Sequence, residues 1–219
     1  MMTATADQSD SVTARHAMVA SQLRTSGVND ARVVAAMAQV EREAFLPESQ
    51  RAVAYRDRSL PLGNGRAQNP PLATGLLLTG AAIGPADAVL VIGAAGGYAA
   101  AVAAKLAGRV VAVESDSRLA AIARDALGDS VELVEGPLDG ADVTGEFDVL
   151  VIDGAVEAVP AALAARVRPG GRIVAGLFDR GVTRLASGVR TEAGFGLQPF
   201  ADSECAVLPG FEKPRGFTF

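Results

Sequence analysis

The chain has 219 residues, 49% of them hydrophobic, and a net charge of -5 at pH 7. That composition is enough for one domain with its own core and excludes a disordered chain, while scattered arginines on a negative balance argue against a nucleic-acid backbone as partner. The single Cys205 and single His16 exclude an internal disulfide and speak against a metal site.

In chain order, residues 1–10 are small and polar and read as a disordered start; they lack the basic and then apolar pattern of a secretory leader. Val12, Met18, Val19 and Leu23 predict a helix over 11–26. Asn29 and Asp30 then cap a second helix carrying Val33, Val34, Met37 and Val40 on one face. A loop-rich stretch, 59–73, is loaded with Pro, Gly and Asn, and a further helix is predicted over 73–82. Beyond the turn at 84–87 strands alternate with helices: strands at 88–92, 109–114, 131–135, 147–152 and 172–177, and helices at 98–106, 117–127 and 160–167, with Pro169-Gly170-Gly171 as a tight turn. The strands are continuous Val/Leu/Ile/Ala runs, as a parallel sheet covered on both faces requires. The end of the chain reads as a closing strand pair on the sheet edge. No apolar run reaches the length of a membrane span, and the expected location is cytoplasmic.

The stretch VLVIGAAGGY (89–98) raises the functional question. In an open α/β sheet, ligands sit beyond the carboxyl ends of the strands, and a Gly-rich turn lets them approach backbone N–H groups. The next strand ends at Glu114, roughly 20 residues after Gly93, where a carboxylate can accept ribose hydroxyls. The small residues Gly93, Ala95 and Gly97 follow a G-x-G-x-G spacing, and the third glycine of a dinucleotide loop is replaced by Tyr98. A strand–turn–helix that needs small residues only for packing is the alternative.

Four collinear segments, over roughly residues 14 to 178, resemble protein-L-isoaspartate O-methyltransferases. AMAQVEREAFLPES (36–49) is similar to that family's A-M-x-x-V-P-R-E-x-F-V-P-E, and DRSLPLGNGRAQNPP (57–71) to its D-R-P-L-P-I-G-x-G-Q-T-I-S-Q-P. VLVIGAAGGYAAAVAAKLAGRVVAVE (89–114) resembles its V-L-E-I-G-T-G-S-G-Y strand and turn followed by V-x-x-I-E. FDVLVIDGAVEAVPAALAARVRPGGRIV (147–174) resembles its F-D-A-I-I-V-T-A-A-x-x-x-V-P and L-x-P-G-G-R-L-V. The resemblance implies a class I S-adenosylmethionine-dependent methyltransferase fold, Rossmann-like, with a mostly parallel seven-stranded sheet and an N-terminal helical extension. It implies methyl transfer from S-adenosylmethionine to the side-chain carboxylate of an isoaspartyl residue in a protein or peptide, a repair of aged proteins. Such a reaction needs no strong base, because a carboxylate is already ionised at neutral pH.

On this reading residues 11–219 form one domain: N-terminal helices and substrate loop to 83, a cofactor-binding core over 84–178, and C-terminal strands and tail over 179–219. Cofactor contact is expected from Gly93, Ala95, Gly97, Tyr98, Glu114, Gly136 and Asp153. Asn69, in the place of the family's Ser, and Arg66 are the expected catalytic, substrate-side residues, because an amide and a guanidinium can both donate to a carboxylate. Several family positions are changed: Val91 replaces an acid, Ala94, Ala95 and Gly96 replace Thr, Gly and Ser, and Pro137 replaces an Asp for which Asp139 could stand in. Those changes put cofactor binding and activity in question. They leave open a methyltransferase with relaxed contacts, one for another acceptor, and a noncatalytic binding or scaffolding protein. Phe211, Phe217 and Phe219 in the tail suggest closure of the core or docking on a second subunit.

Overall fold

A computed structural model of the chain describes residues 3–213. Helix α1 (Thr3–Ala17) begins inside the stretch expected to be disordered, and Met1 and Met2 lie outside the described residues. No Gly or Pro stands between Thr3 and Gly27 to end a helix. The helical path therefore continues through a π-helical turn at Met18–Leu23 and a 3-10 turn at Arg24–Ser26 until Gly27 takes the left-handed conformation. Helix α2 (Ala31–Gln39) starts where Asp30 accepts the backbone N–H groups of Arg32 and Val33, a cap of about 1 kcal/mol. A 3-10 turn at Arg42–Phe45 and the short α3 (Glu48–Arg51) lead into the loop.

That loop is built around a hairpin. β1 (Leu60–Gly63) pairs antiparallel with β2 (Arg66–Gln68), and the connection is Asn64-Gly65, with φ 51° and 70°. Tight hairpins need positive φ at both central residues, and Asn-Gly provides it at the least strain. Pro71 then starts α4 (Pro71–Ala81), which is buried along most of its length against the sheet.

The remaining elements are β3 (Ala88–Ile92), α5 (Tyr98–Ala104), β4 (Arg109–Glu114), α6 (Ser117–Leu127), β5 (Glu132–Glu135), β6 (Phe147–Val156), α7 (Ala161–Ala164), β7 (Val167–Asp179), β8 (Val182–Thr191), β9 (Gly194–Phe195) and β10 (Gln198–Asp202). Seven strands lie in the order β10-β8-β7-β6-β3-β4-β5, with the short β9 attached to β8. The pairs from β7 to β5 are parallel, and β8 and β10 close the edge antiparallel, as expected. The order reverses between β3 and β6, so the crevice beyond their carboxyl ends is where a ligand belongs.

Two details differ from expectation. Pro169-Gly170-Gly171 is an excursion within β7, between the pairs Phe147–Val167 and Val149–Arg172, rather than a turn in front of the strand. β6 runs past Ile152 to Val156, where Ala155 and Val156 pair with Gly176 and Leu177 of β7 and Ala155 also bridges Val207 in parallel. A bulge separates the pairs Val151–Val174 and Ala155–Gly176 and holds Asp153 and Gly154. Bulges re-aim side chains at sheet ends, and this one puts Asp153 beside the crevice.

The sheet separates two apolar layers. One contains the N-terminal helices, α4, α5 and α6; the other contains Leu90, Ile92, Leu150, Leu163 and the C-terminal Leu208 and Phe211. Phe211 is thus part of the core, while Phe217 and Phe219, expected to serve core closure or subunit docking, lie outside the described residues. No helix among the described residues is long and apolar enough to cross a membrane.

Candidate functional site

The β3–α5 turn is held open by left-handed residues: Gly93 at φ 76°, Ala95 at 51° and Gly97 at 104°. Its N–H groups are largely spent within the protein. Gly93 and Ala94 donate to the Val113 carbonyl at 3.1 and 3.0 Å, Ala95 donates to Glu114 Oε2 at 2.7 Å, and Gly97 donates to the Ala94 carbonyl at 2.7 Å. The space beside each glycine is also occupied. A Cβ on Gly93 would lie 2.8 Å from Leu208 Cδ1, one on Gly97 3.0 Å from Leu127 Cδ1, and one on Gly96 would overlap the Phe45 carbonyl. Tyr98 opens α5, fully buried, with its ring edge-on to Phe45 and 4.7 Å from the Arg42 guanidinium carbon. Burial pushes its phenol up to about 12, against the pull of Arg42.

Glu114 ends β4 with no exposure. Its Oε1 accepts from Arg66 Nε at 3.2 Å and from the backbone N–H groups of Ser115 and Asp116, both at 2.9 Å; its Oε2 accepts from Arg66 Nη2 and Ala95 N, both at 2.7 Å. Five donors saturate a carboxylate that can offer about four lone-pair sites. The β1–β2 hairpin therefore lays Arg66 on the carboxylate end where ribose hydroxyls were expected. Outside this pair lies a cavity of about 500 Å³ lined by Asn64, Arg66, Ser115, Asp116, Arg118 and Pro209. A different cavity, beside Val19, Val28 and Val34, sits on the N-terminal helices away from the strand ends.

Asn69 and Asp153 meet beneath the crevice. Asn69 Nδ2 donates to Asp153 Oδ1 at 2.7 Å, and Asn69 Oδ1 accepts from Ala206 N at 2.7 Å and Cys205 Sγ at 3.3 Å. Thr74 Oγ1 reaches the same Asp153 oxygen at 3.5 Å. Burial also pushes the Cys205 thiol well above its ordinary range. Gly136 lies apart from this cluster: it donates to the Glu114 carbonyl at 3.0 Å, and its open side faces Asp142. Asp139 is exposed and accepts the Ala141 N–H.

Burial raises the Asp153 carboxyl above the usual Asp range, against the Asn69 hydrogen bond and the charges of Arg42 and Arg66, which lower it. The folded chain thus holds this proton to higher pH than the unfolded chain. Its contribution to stability is greatest in acid and falls as pH rises from the ordinary Asp range through the raised folded value. Asp153→Asn is expected to remove that fall, so the variant gains stability relative to the natural chain over the interval of rising pH above the ordinary Asp value of about 4. Melting temperatures of both across that interval test it, and a constant difference would refute the shift.

Arg42 was not singled out by sequence reasoning, although it belongs to the matched V-E-R-E-A-F segment. It is fully buried; Nε donates to the Ala54 carbonyl at 2.7 Å, Nη2 donates to the Asn69 carbonyl, and Nη1 has no partner among the described residues. Burial lowers its pKa, while Tyr98 and Asp153 act to raise it. Leu208 was also missed; no short-range signal marks a residue that enters the crevice from the far end of the chain.

The reversal of strand order, the Gly-rich turn after β3 and the acid ending β4 define a class I, Rossmann-like methyltransferase fold. The family model for protein-L-isoaspartate(D-aspartate) O-methyltransferase matches residues 14–193. Among curated relatives, the protein-L-isoaspartate O-methyltransferase of Methylorubrum extorquens (strain PA1) is 39% identical over 169 residues, covering 75% of this chain and 74% of the relative. Protein-L-isoaspartate O-methyltransferase 2 of Anaeromyxobacter sp. (strain Fw109-5) is 36% identical over 199 residues, covering 85% and 82%. The chain belongs to the protein-L-isoaspartate(D-aspartate) O-methyltransferase family. The fold agrees: a Plasmodium falciparum protein described as a member of this family, solved with S-adenosyl-L-homocysteine, superposes with a TM-score of 0.74 at 16% identity, covering 89% of this chain and 97% of that one.

In the arrangement described, the groups expected to meet S-adenosylmethionine are engaged within the chain. Both Glu114 oxygens are taken by Arg66 and three backbone N–H groups, and the side of Gly93 that a ligand would approach is filled by Leu208.

Proposed function

We infer that this chain is a methyltransferase that uses S-adenosylmethionine to methylate the side-chain carboxylate of isoaspartyl residues in proteins or peptides. The observation that carries the reading is the family match over residues 14–193, which runs through the hairpin, the Gly-rich turn and β6. Two features of the site support it. The turn at Gly93–Gly97 and the acid of Glu114 stand at the point where strand order reverses, and the hairpin brings Arg66 and Asn69 to the same crevice. Gly93, Ala95, Gly97 and Glu114 are proposed to border the cofactor. Arg66, whose Nη1 lacks a partner among the described residues, and Asn69 are proposed to meet the acceptor carboxylate. A carboxylate acceptor asks for placement and exclusion of water more than for a base, in keeping with the burial of Asp153.

The test is transfer of a labelled methyl group from S-adenosylmethionine to an isoaspartyl peptide, with the same peptide containing ordinary Asp as control. Label is expected only in the isoaspartyl peptide, as a base-labile ester. No transfer from folded protein at millimolar cofactor would overturn the reading.

A further inference from the structure

The crevice beyond β3 and β6 is filled by the chain itself. Residues 205–211 cross it as an added strand: Ala155 N donates to the Ala206 carbonyl at 2.7 Å, Leu208 N donates to the Ala155 carbonyl at 2.9 Å, and Val207 bridges Ala155 in parallel. Along this segment Val207 faces solvent at 44% exposure, while Leu208 is turned inward at 3%. Leu208 fits between two glycines. A Cβ on Gly93, at the end of β3, would lie 2.8 Å from it, and a Cβ on Gly154, in the β6 bulge, would overlap it. These are the two strands between which the strand order reverses. Pro209 follows at the rim of the cavity that holds Arg66 and Asp116, so the segment and the Arg66–Glu114 pair close adjoining parts of one cleft.

We propose that residues 205–209 and Arg66 form a built-in plug, Leu208 standing in for the ligand between Gly93 and Gly154 and Arg66 standing in for ligand hydroxyls on Glu114, so that the cofactor binds only when both withdraw. The inference rests on the reading of the chain as a methyltransferase. The attachment suits release. Two backbone hydrogen bonds to Ala155 and the Asn69 amide tie residues 205–208, and Glu204 Oε1 accepts the Ser59 N–H at 3.0 Å on the hairpin's approach. An incoming ligand therefore competes with these hydrogen bonds and with the packing of Cys205, Ala206 and Leu208, while Phe211 stays anchored in the core. Asn69 couples the two halves of the plug, since it stands one residue past β2, which carries Arg66, and holds Ala206.

The experiment is calorimetric titration of S-adenosylhomocysteine into the full chain, into Leu208→Ala and into Arg66→Gln, together with hydrogen exchange at residues 204–211 of the natural chain with and without that ligand. Shortening Leu208 opens the crevice, and the proposal expects at least tenfold tighter binding by Leu208→Ala. In the natural chain the ligand is expected to speed exchange of the Leu208 N–H. Equal or weaker binding by a folded Leu208→Ala overturns the plug alone and leaves the methyltransferase reading standing. Should Leu208→Ala not fold, exchange in the natural chain decides: a Leu208 N–H that stays protected while ligand binds refutes the proposal. No binding by any of the three folded proteins overturns the plug and the methyltransferase reading together.

Discussion

Glu114→Ala is expected to lower the stability of the chain by about 3–5 kcal/mol, the cost of stranding one member of a buried ion pair. Arg66 and Glu114 are 2% and 0% exposed at their side chains, 2.7 Å apart, and so unscreened by solvent. Removing the carboxylate leaves the Arg66 cation without its Nε and Nη2 acceptor and leaves the N–H groups of Ala95, Ser115 and Asp116 to find another. The pair itself contributes less than this loss suggests, because desolvation of two charges offsets most of their attraction. Arg66→Met in the Glu114→Ala background is therefore expected to recover roughly 2 kcal/mol or more, as no charge remains buried. Urea unfolding of the two single variants and the double variant measures the coupling. Additive losses would mean that Arg66 and Glu114 do not act as a pair. Loss of cofactor binding in Glu114→Ala would count as a lost contact only after its folded fraction is known.

The elements were legible in the sequence because each is announced locally. β3, β4 and α6 fall at the expected residues, since apolar runs of five or six residues alternate with helical periodicity. Asp30 announces α2, whereas the hairpin with Asn64-Gly65 at its tip reads in the sequence only as a loop. The sequence also places Gly93 and Glu114 at one end of the sheet, because a strand's carboxyl end follows from its direction, whereas Arg66 and Asn69 come to the site only through the family resemblance. Who pairs with whom there was not legible. Arg66 reaches Glu114 across 48 positions and Asn69 reaches Ala206 across 137, and no local propensity encodes such contacts. The extra length of β6 has the same origin, as its end pairs with Gly176 and Leu177 of β7 and bridges Val207. The helical start of the chain was missed for the opposite reason: a polar, small-residue composition reads as disorder, yet it contains nothing that breaks a helix.

Gly96→Ala is expected to be the second large loss, about 3 kcal/mol, at the upper end for overpacking. Its φ is not in the left-handed region, so the backbone itself tolerates a side chain. The obstacle is that the new Cβ would overlap the carbonyl of Phe45, a backbone group that cannot rotate away. Phe45 is fixed in turn by its edge-on contact with Tyr98, ring centroids 5.9 Å apart, and Tyr98 lies under Arg42. Relief would have to move the whole 3-10 turn at Arg42–Phe45, including the Arg42 hydrogen bonds to Ala54 and Asn69. Gly65→Ala is the control: φ is 70° with nothing within 4 Å, so it should cost only the left-handed penalty of about 1–2 kcal/mol. Thermal and urea unfolding of the two variants separate the cases. If Gly96→Ala proves the milder, the N-terminal segment is not seated on the turn as tightly as the geometry requires. If it proves the harsher, the glycine in the middle of GAAGGY serves the docking of residues 42–45, and its presence alone is no measure of ligand binding. Gly93, whose neighbour is the flexible Leu208 side chain, remains the position where the turn can be opened to a ligand.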